Sequence, residues 1–427
     1  MVTEGWRRRA SPSSRRSLGG LVVILIYLFC TVQAGAYSVL THEELIDLAW
    51  NSSIRPFLLK KFPQATEVEL RDAHAYAYGG SAIQDMGYYP FGKPLFSDLT
   101  HYVRSGDFVA WMFEHAKTLN EYAFAIGALS HYLGDSIGHL QAINPATALA
   151  FPNLAKKYGP VVTYDESPHG HIRTEFAFDV QELASSEFAP PSYLKFIGLR
   201  VPRKFLERAF VATYGFDLHD VVGRARPSLR SYRTSVRSFI PNFAEAEVVL
   251  HGHQFPAPPD DEAYRLFIKR VAQTNYERKW KHPYTGPGFK AHLLAIVVFL
   301  VPKIGPVSNL AIKIPTEQTQ QWYFESVNHT VDLFRKTLDD FGREIDPPLV
   351  LANIDLDTGS RAKLGDYPRA DAAYRKLLER LTSKPGRVIP KNLQQHILEF
   401  YAGLPIPRDP EGKLMERLGL LREMKTE

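Results

Sequence analysis

The feature that most constrains this chain is a helical spacing of ionisable residues inside an otherwise apolar run. Between Leu129 and His139 the sequence places His131, Asp135 and His139 at every fourth position. On an α-helix such residues share one broad face. A second segment, His169 to Glu175, repeats the spacing with His171 and Glu175. Imidazole and carboxylate are the donors zinc takes when thiolates are absent. Two such helices facing one another would hold more than one ion, so the first expectation is a metal centre.

The N-terminus has to be set apart before composition is read. Arg7, Arg8, Arg9, Arg15 and Arg16 precede an apolar run, Leu21 to Cys30, which leads into Ala34-Gly35-Ala36. A basic region, a short apolar core and a small-residue end describe an export signal over 1–36, cleaved near Ala36. The expected destination is periplasmic or extracellular. Ser14-Arg15-Arg16-Ser17-Leu18 also resembles a twin-arginine signal, used by proteins exported already folded. An uncleaved membrane anchor is the alternative, and the apolar core is short for one. Cleavage would remove the sole cysteine, Cys30, leaving a mature chain with no disulfide and no thiolate ligand. It would also remove five arginines and Glu4, lowering the net charge from +5 to +1. The basic balance therefore belongs to the leader and argues little for nucleic-acid binding.

The mature sequence reads as helix almost throughout, so the expected class is all-α. Thr41 and Glu44 have the spacing of a capping box. Helices are expected near 66–84, 106–118, 120–142 and 168–186, then near 202–214, 260–282, 315–343, 367–383, 390–402 and 411–424. Pro256-Ala257-Pro258-Pro259 and the run from His282 to Gly288 act as breaks. Residues 37–345 are expected to form one helical domain, with the motifs within 37–186. Residues 346–427 read as a peripheral helical extension.

Upstream of the central helix lie further residues of ligand type. His42 follows Tyr37, the first mature residue, by five positions; Asp85 and His101 come next. The order is a new N-terminus, His42, Asp85, His101, the trio 131–135–139, then His171 and Glu175. This ordered set resembles the zinc-dependent phospholipase C superfamily, which includes single-strand-specific zinc nucleases. The resemblance covers about 37–180. It implies a multi-helical fold with three zinc ions in a cleft. Matched position by position, Asp85, His101, His131 and Asp135 would hold the first ion, and His139, His171 and Glu175 the second. The third would take the Tyr37 amine and carbonyl, His42, and Asp135 as a bridge. That role gives cleavage a chemical meaning, because an uncleaved chain has no free amine at Tyr37.

The match has three departures. Secreted members begin with Trp, where this chain has Tyr37. They place the last histidine six residues after the aspartate, where this chain has Gln141; a branch similar to glycosylphosphatidylinositol-specific phospholipases uses the spacing of His139. Choline-specific bacterial enzymes follow the metal-binding aspartate with Tyr, where this chain has Met86.

The implied activity is zinc-dependent hydrolysis of a phosphodiester, most simply a phospholipid cut in the manner of a phospholipase C. Zinc lowers the pKa of a bound water to about 7, and paired metals clamp both oxygens of the displacement. Asp85 is the candidate to orient, or take a proton from, the attacking water. Two readings compete. A zinc nuclease acting on single-stranded nucleic acid is disfavoured by the near-neutral mature charge. A metal-stabilised surface protein without turnover is disfavoured because every expected ligand is a competent type.

Several other residues carry ordinary readings. His74, His115, His219 and His292 are surface or core histidines, and His169 lies off the four-residue spacing. His251-Gly252-His253 lacks neighbouring carboxylates. Tyr88, Tyr89, Phe91 and Phe96 could wall the site or simply pack. Asn51-Ser52-Ser53 and Asn328-His329-Thr330 fit the glycosylation pattern. The apolar run Leu293 to Val301 is too short to span a bilayer. It is either a core helix or, over 293–312, a peripheral membrane contact.

Overall fold

The computed structural model describes residues 38–274, 286–300, 312–343, 349–384, 386–402 and 412–427. The expected signal at 1–36 and Tyr37 lie outside them. The described chain is all-α, with only short two-residue strands. The elements that build the site are α1 (Val39–Ala49), α2 (Glu67–Ser81), α3 (Pro94–Tyr102), α4 (Leu119–Gly138) and α5 (Pro168–Ala184). Farther along come α6 (Phe289–Leu300), α7 (Glu317–Arg343), an antiparallel pair β1 (Ile354–Asp355) and β2 (Ser360–Arg361), and α8 (Pro368–Thr382).

The central helix α4 is buried along most of its length, as an apolar helix without a polar face must be. It crosses α2 at two glycines. A Cβ on Gly80 would stand 2.1 Å from the Phe124 carbonyl oxygen, and one on Gly127 2.1 Å from that of Ala77. Only hydrogen at both positions lets the backbones approach this closely. That contact carries the end of α2 up to His131.

The capping box expected at Thr41 and Glu44 does not form. α1 starts three residues earlier, with Ser38 as its N-cap. Its free amides are met from another helix: Asp179 of α5 accepts from the Leu40 and Thr41 N–H groups at 2.9 and 3.1 Å and from the Thr41 hydroxyl at 2.8 Å. A tertiary carboxylate does the work that local sequence would assign to Glu44. A capping box does form at Thr66 and Glu69, opening α2.

The helix expected at 106–118 is found as Ser105–His115, and that at 202–214 as Arg203–Tyr214. α3, which carries His101, is not among the expected helices. The extension is helical over Pro368–Thr382, Lys391–Ala402 and Lys413–Glu423. It is not wholly peripheral, however, because Leu356 and Asp357 are buried against α3 and His139, just beyond α4. Among the described residues no helix is long and apolar enough to cross a membrane.

Candidate metal centre

Six elements converge on the site. α1 supplies His42, the short 3₁₀ turn Gln84–Tyr88 supplies Asp85, and α3 supplies His101. α4 supplies His131 and Asp135, and the π-helical turn His139–Ile143 that continues it supplies His139. α5 supplies His171 and Glu175. Each of these eight side chains is at most 2% exposed. Three groups have donor atoms close enough to share an ion: His42, His131 and Asp135; Asp85, His101 and His131; and His139, His171 and Glu175. Tyr37 lies outside the described residues.

The separations have a specific size. His101 Nε2 is 3.3 Å from Asp85 Oδ1, 3.2 Å from Asp135 Oδ2 and 3.3 Å from His131 Nε2. His131 Nε2 is 3.1 Å from Asp135 Oδ2, and His42 Nε2 is 3.2 Å from Asp135 Oδ1. Ligand atoms about 2.0–2.1 Å from a tetrahedral zinc stand about 3.3–3.4 Å from one another. The cluster thus has the edge lengths of a coordination shell. Asp135 turns one oxygen to His42 and the other to His101 and His131, the arrangement of a bridging carboxylate.

Backbone carbonyls fix the imidazole tautomers. His101 Nδ1 donates to the Ser97 carbonyl at 2.8 Å, His131 Nδ1 to that of Ser81 at 3.0 Å, and His139 Nδ1 to that of Leu356 at 3.0 Å. The neutral ring then carries its lone pair on Nε2, which in all three faces the cluster. His171 is set the other way round. The Asn144 amide nitrogen donates to the Asp357 carbonyl, so its oxygen accepts from His171 Nε2 at 2.7 Å. Nδ1 is left facing Glu175 Oε1 at 2.6 Å.

The residues present fit zinc. Two imidazole lone pairs facing one another at 3.3 Å repel unless a cation stands beside them. Asp85 Oδ1, both Asp135 oxygens, His139 Nε2 and Glu175 Oε2 are buried and make no hydrogen bond among the described residues. Buried polar atoms are seldom left so without a ligand.

The electrostatics point the same way. Burial pushes Asp135 up, but His131, His101 and His42 outweigh it and hold the carboxyl well below its usual range. Burial also works to lower His101 and His131, yet the carboxylates Asp135 and Asp85 raise both. In the second group burial dominates, lowering His171 well below and raising Glu175 well above their ordinary values. Positive charge is wanted here, and a metal supplies it in exchange for protons.

Side chains from the C-terminal segment roof the site. Asp357 Oδ1 lies 3.5 Å from His139 Nδ1, and Oδ2 accepts from Tyr102 at 2.9 Å and Tyr367 at 2.5 Å. The Leu356 N–H donates to the His101 carbonyl. Sequence reasoning missed Asn144 and Asp357.

At the spacing in question the structure gathers His139, while Gln141 lies at the surface against His329. His74 keeps its ordinary role, paired to Asp47 at 2.8 Å and stacked on Trp50. The four aromatics divide. The Tyr88 ring lies 5.9 Å from His101, Tyr89 packs on Tyr232 and Phe96 on Phe210, and Phe91 is exposed.

Residues 41–215 match the family model described as zinc dependent phospholipase C. No curated protein and no solved structure matches the chain.

Proposed function

We propose, from the place of residues 41–215 in the zinc-dependent phospholipase C superfamily, that this chain is an exported phosphodiesterase cutting phospholipids in the manner of a phospholipase C. The observation that carries the reading is the set of buried donor atoms, several without a hydrogen bond, at coordination-shell spacing. Asp85, His101, His131 and Asp135 would hold one zinc, and His139, His171 and Glu175 a second. Tyr37 and His42, with Asp135 as bridge, would hold a third.

Bound zinc supplies a water of pKa about 7 and a clamp on the attacking and leaving oxygens. The protein's own part is orientation. Asp135 joins His42 to the pair His101 and His131, so α1, α3 and α4 cannot separate without breaking the centre. Asp85, whose Oδ1 makes no hydrogen bond and lies 3.3 Å from His101 Nε2, would orient the attacking water and take its proton. The near-complete burial of the cluster keeps bulk water from competing.

A lipid substrate draws support from α6. Phe289, Leu293, Ile296, Phe299 and Leu300 are exposed there, while Ala291, Ala295 and Val298 are buried. That apolar face, part of the expected contact over 293–312, suits the boundary of a bilayer. Residues 301–311 lie outside the described residues.

The test compares protein beginning at Tyr37 with protein carrying a few residues before it. The first should hold about three zinc ions and release diacylglycerol from vesicles; the extended form should lose an ion and most activity. One zinc or none in both would refute the trinuclear centre. Full zinc with cleavage of single-stranded DNA and no lipid hydrolysis would replace the lipase reading with the nuclease.

A further inference from the structure

Outside the matched segment, the first turn of α8 brings Arg369 to the edge of the metal cluster. Its guanidinium carbon lies 4.4 Å from the centre of the Tyr164 ring. Tyr164 in turn stands 5.7 Å from the His171 ring and 6.4 Å from Tyr88, which lies 5.9 Å from His101. A path of side chains thus runs from Arg369 to both halves of the cluster. The candidate ligands are sealed, whereas the Arg369 side chain remains 22% exposed.

Two polar groups on this path make no hydrogen bond among the described residues: the buried Tyr164 hydroxyl and Arg369 Nε. Asp165 forms an ion pair with Arg369, its carboxylate 3.5 Å from Nε and longer than a hydrogen bond. Burial works against the Arg369 charge, but Tyr102, Tyr164, Tyr88 and Asp357 around it more than compensate. Burial holds the Tyr164 phenol well above its ordinary pKa, so it remains a hydroxyl donor. The positive end of the helix dipole of α8 adds to the same side.

We propose that Arg369 and Tyr164 form an anion anchor that receives the substrate phosphate and selects net-anionic headgroups over zwitterionic choline esters. A guanidinium over a phenol ring, with its Nε and the phenol hydroxyl both free of hydrogen bonds, offers donors that match phosphate oxygens. A quaternary ammonium group would seek an aromatic face, and the protein's own guanidinium already lies over that of Tyr164. A choline headgroup therefore meets an occupied face and a like charge. The substrate preference rests on the phosphodiesterase reading, but the anchor itself can be tested without turnover.

The experiment uses the full zinc-loaded chain, as wild type, Arg369→Gln, Arg369→Lys and Tyr164→Phe. Zinc content is measured first and should be equal in all four. Inorganic phosphate binding, followed by calorimetry, should weaken about 10- to 100-fold in Arg369→Gln, on the scale of a lost charged hydrogen bond. Arg369→Lys should recover part of that loss, and Tyr164→Phe should lose less. With short-chain lipids below their micellar concentration, wild type should favour phosphatidylglycerol over phosphatidylcholine. Arg369→Gln should raise KM for the former and erase the preference. Unchanged phosphate affinity in zinc-replete Arg369→Gln would overturn the anchor. A wild-type preference for phosphatidylcholine would overturn the headgroup selection. If zinc-replete wild type hydrolyses neither lipid, the phospholipase reading fails while the phosphate titration still decides the anchor.

Discussion

Replacing Asp135 with asparagine should remove zinc from one half of the centre and leave the other intact. The carboxylate serves two directions at once, with Oδ1 at 3.2 Å from His42 and Oδ2 at 3.1–3.2 Å from His131 and His101. Asparagine has the same shape but only one acceptor oxygen. Whichever way the amide turns, its N–H₂ group faces one of the two histidine sets, and a unit of negative charge is gone. The group of His139, His171 and Glu175 does not include Asp135 and should keep its ion. Zinc content should therefore fall from about three ions to about one. At free zinc a thousandfold above Kd, each bound ion stabilises the folded state by about 4.1 kcal/mol. Losing two removes about 8 kcal/mol on that scale. With about 2 °C per kcal/mol, the low end suited to a long chain, Tm should drop on the order of 15 °C. Metal analysis after dialysis and calorimetry at buffered free zinc measure both quantities. A variant retaining its full zinc would refute the bridge. A Tm gap that persists undiminished after chelation of both proteins would make Asp135 an ordinary ion-pair partner of its histidines.

The histidine spacing gives a second test: His139→Ala should lose one zinc and Gln141→Ala none, and the reverse would move the ligand to position 141. Asp179 gives a pH test. Burial, opposed by hydrogen bonds from Ser38, Leu40 and Thr41, raises its pKa to about 6. A carboxyl raised above its unfolded value stabilises the fold fully below the unfolded pKa, and that contribution is lost as pH climbs through the folded one. The span corresponds to on the order of 3 kcal/mol. Denaturation of zinc-free protein from pH 4 to pH 7 should therefore shift by that amount in favour of Asp179→Asn, and a flat difference would sink the assignment. On α6, Leu293→Asp with Phe299→Asp should abolish sedimentation with vesicles while leaving hydrolysis of a monomeric short-chain lipid unchanged; unaltered sedimentation would remove this face from the membrane reading.

The sequence disclosed the helices with strong periodicity and the ligands that lie on them. His131 and Asp135 are four residues apart because one face of α4 presents both, His139 carries the spacing into the π-helical turn, and His171 and Glu175 repeat it on α5. His42, Asp85 and His101 have no local spacing to betray them. They became legible only as members of an ordered set, and α3, the nine-residue helix that carries His101, gave too short a periodic signal. The start of α1 departs from its local signal for a related reason. Glu44 stands where a capping box needs it, but Asp179, on a helix far away in sequence, took the amides first.

The roof of the site was harder still, because much of what it contributes is backbone. Leu356 accepts from His139 through its carbonyl and donates to His101 through its amide, roles open to many residues. What the sequence does encode is the turn that forces the backbone there. Asp355 accepts from the Asp357 amide at 2.9 Å and the Thr358 hydroxyl at 3.0 Å, closing an Asx-type turn. Gly359 follows at φ +67°, where a Cβ would press to 3.0 Å on the Ser136 carbonyl oxygen of α4. Asp355-Leu356-Asp357-Thr358-Gly359 is thus a legible turn whose importance lay in where it docks. That turn sets both the tautomer of His139 and the position of Asp357, so the C-terminal segment packs directly on the matched segment at the cluster.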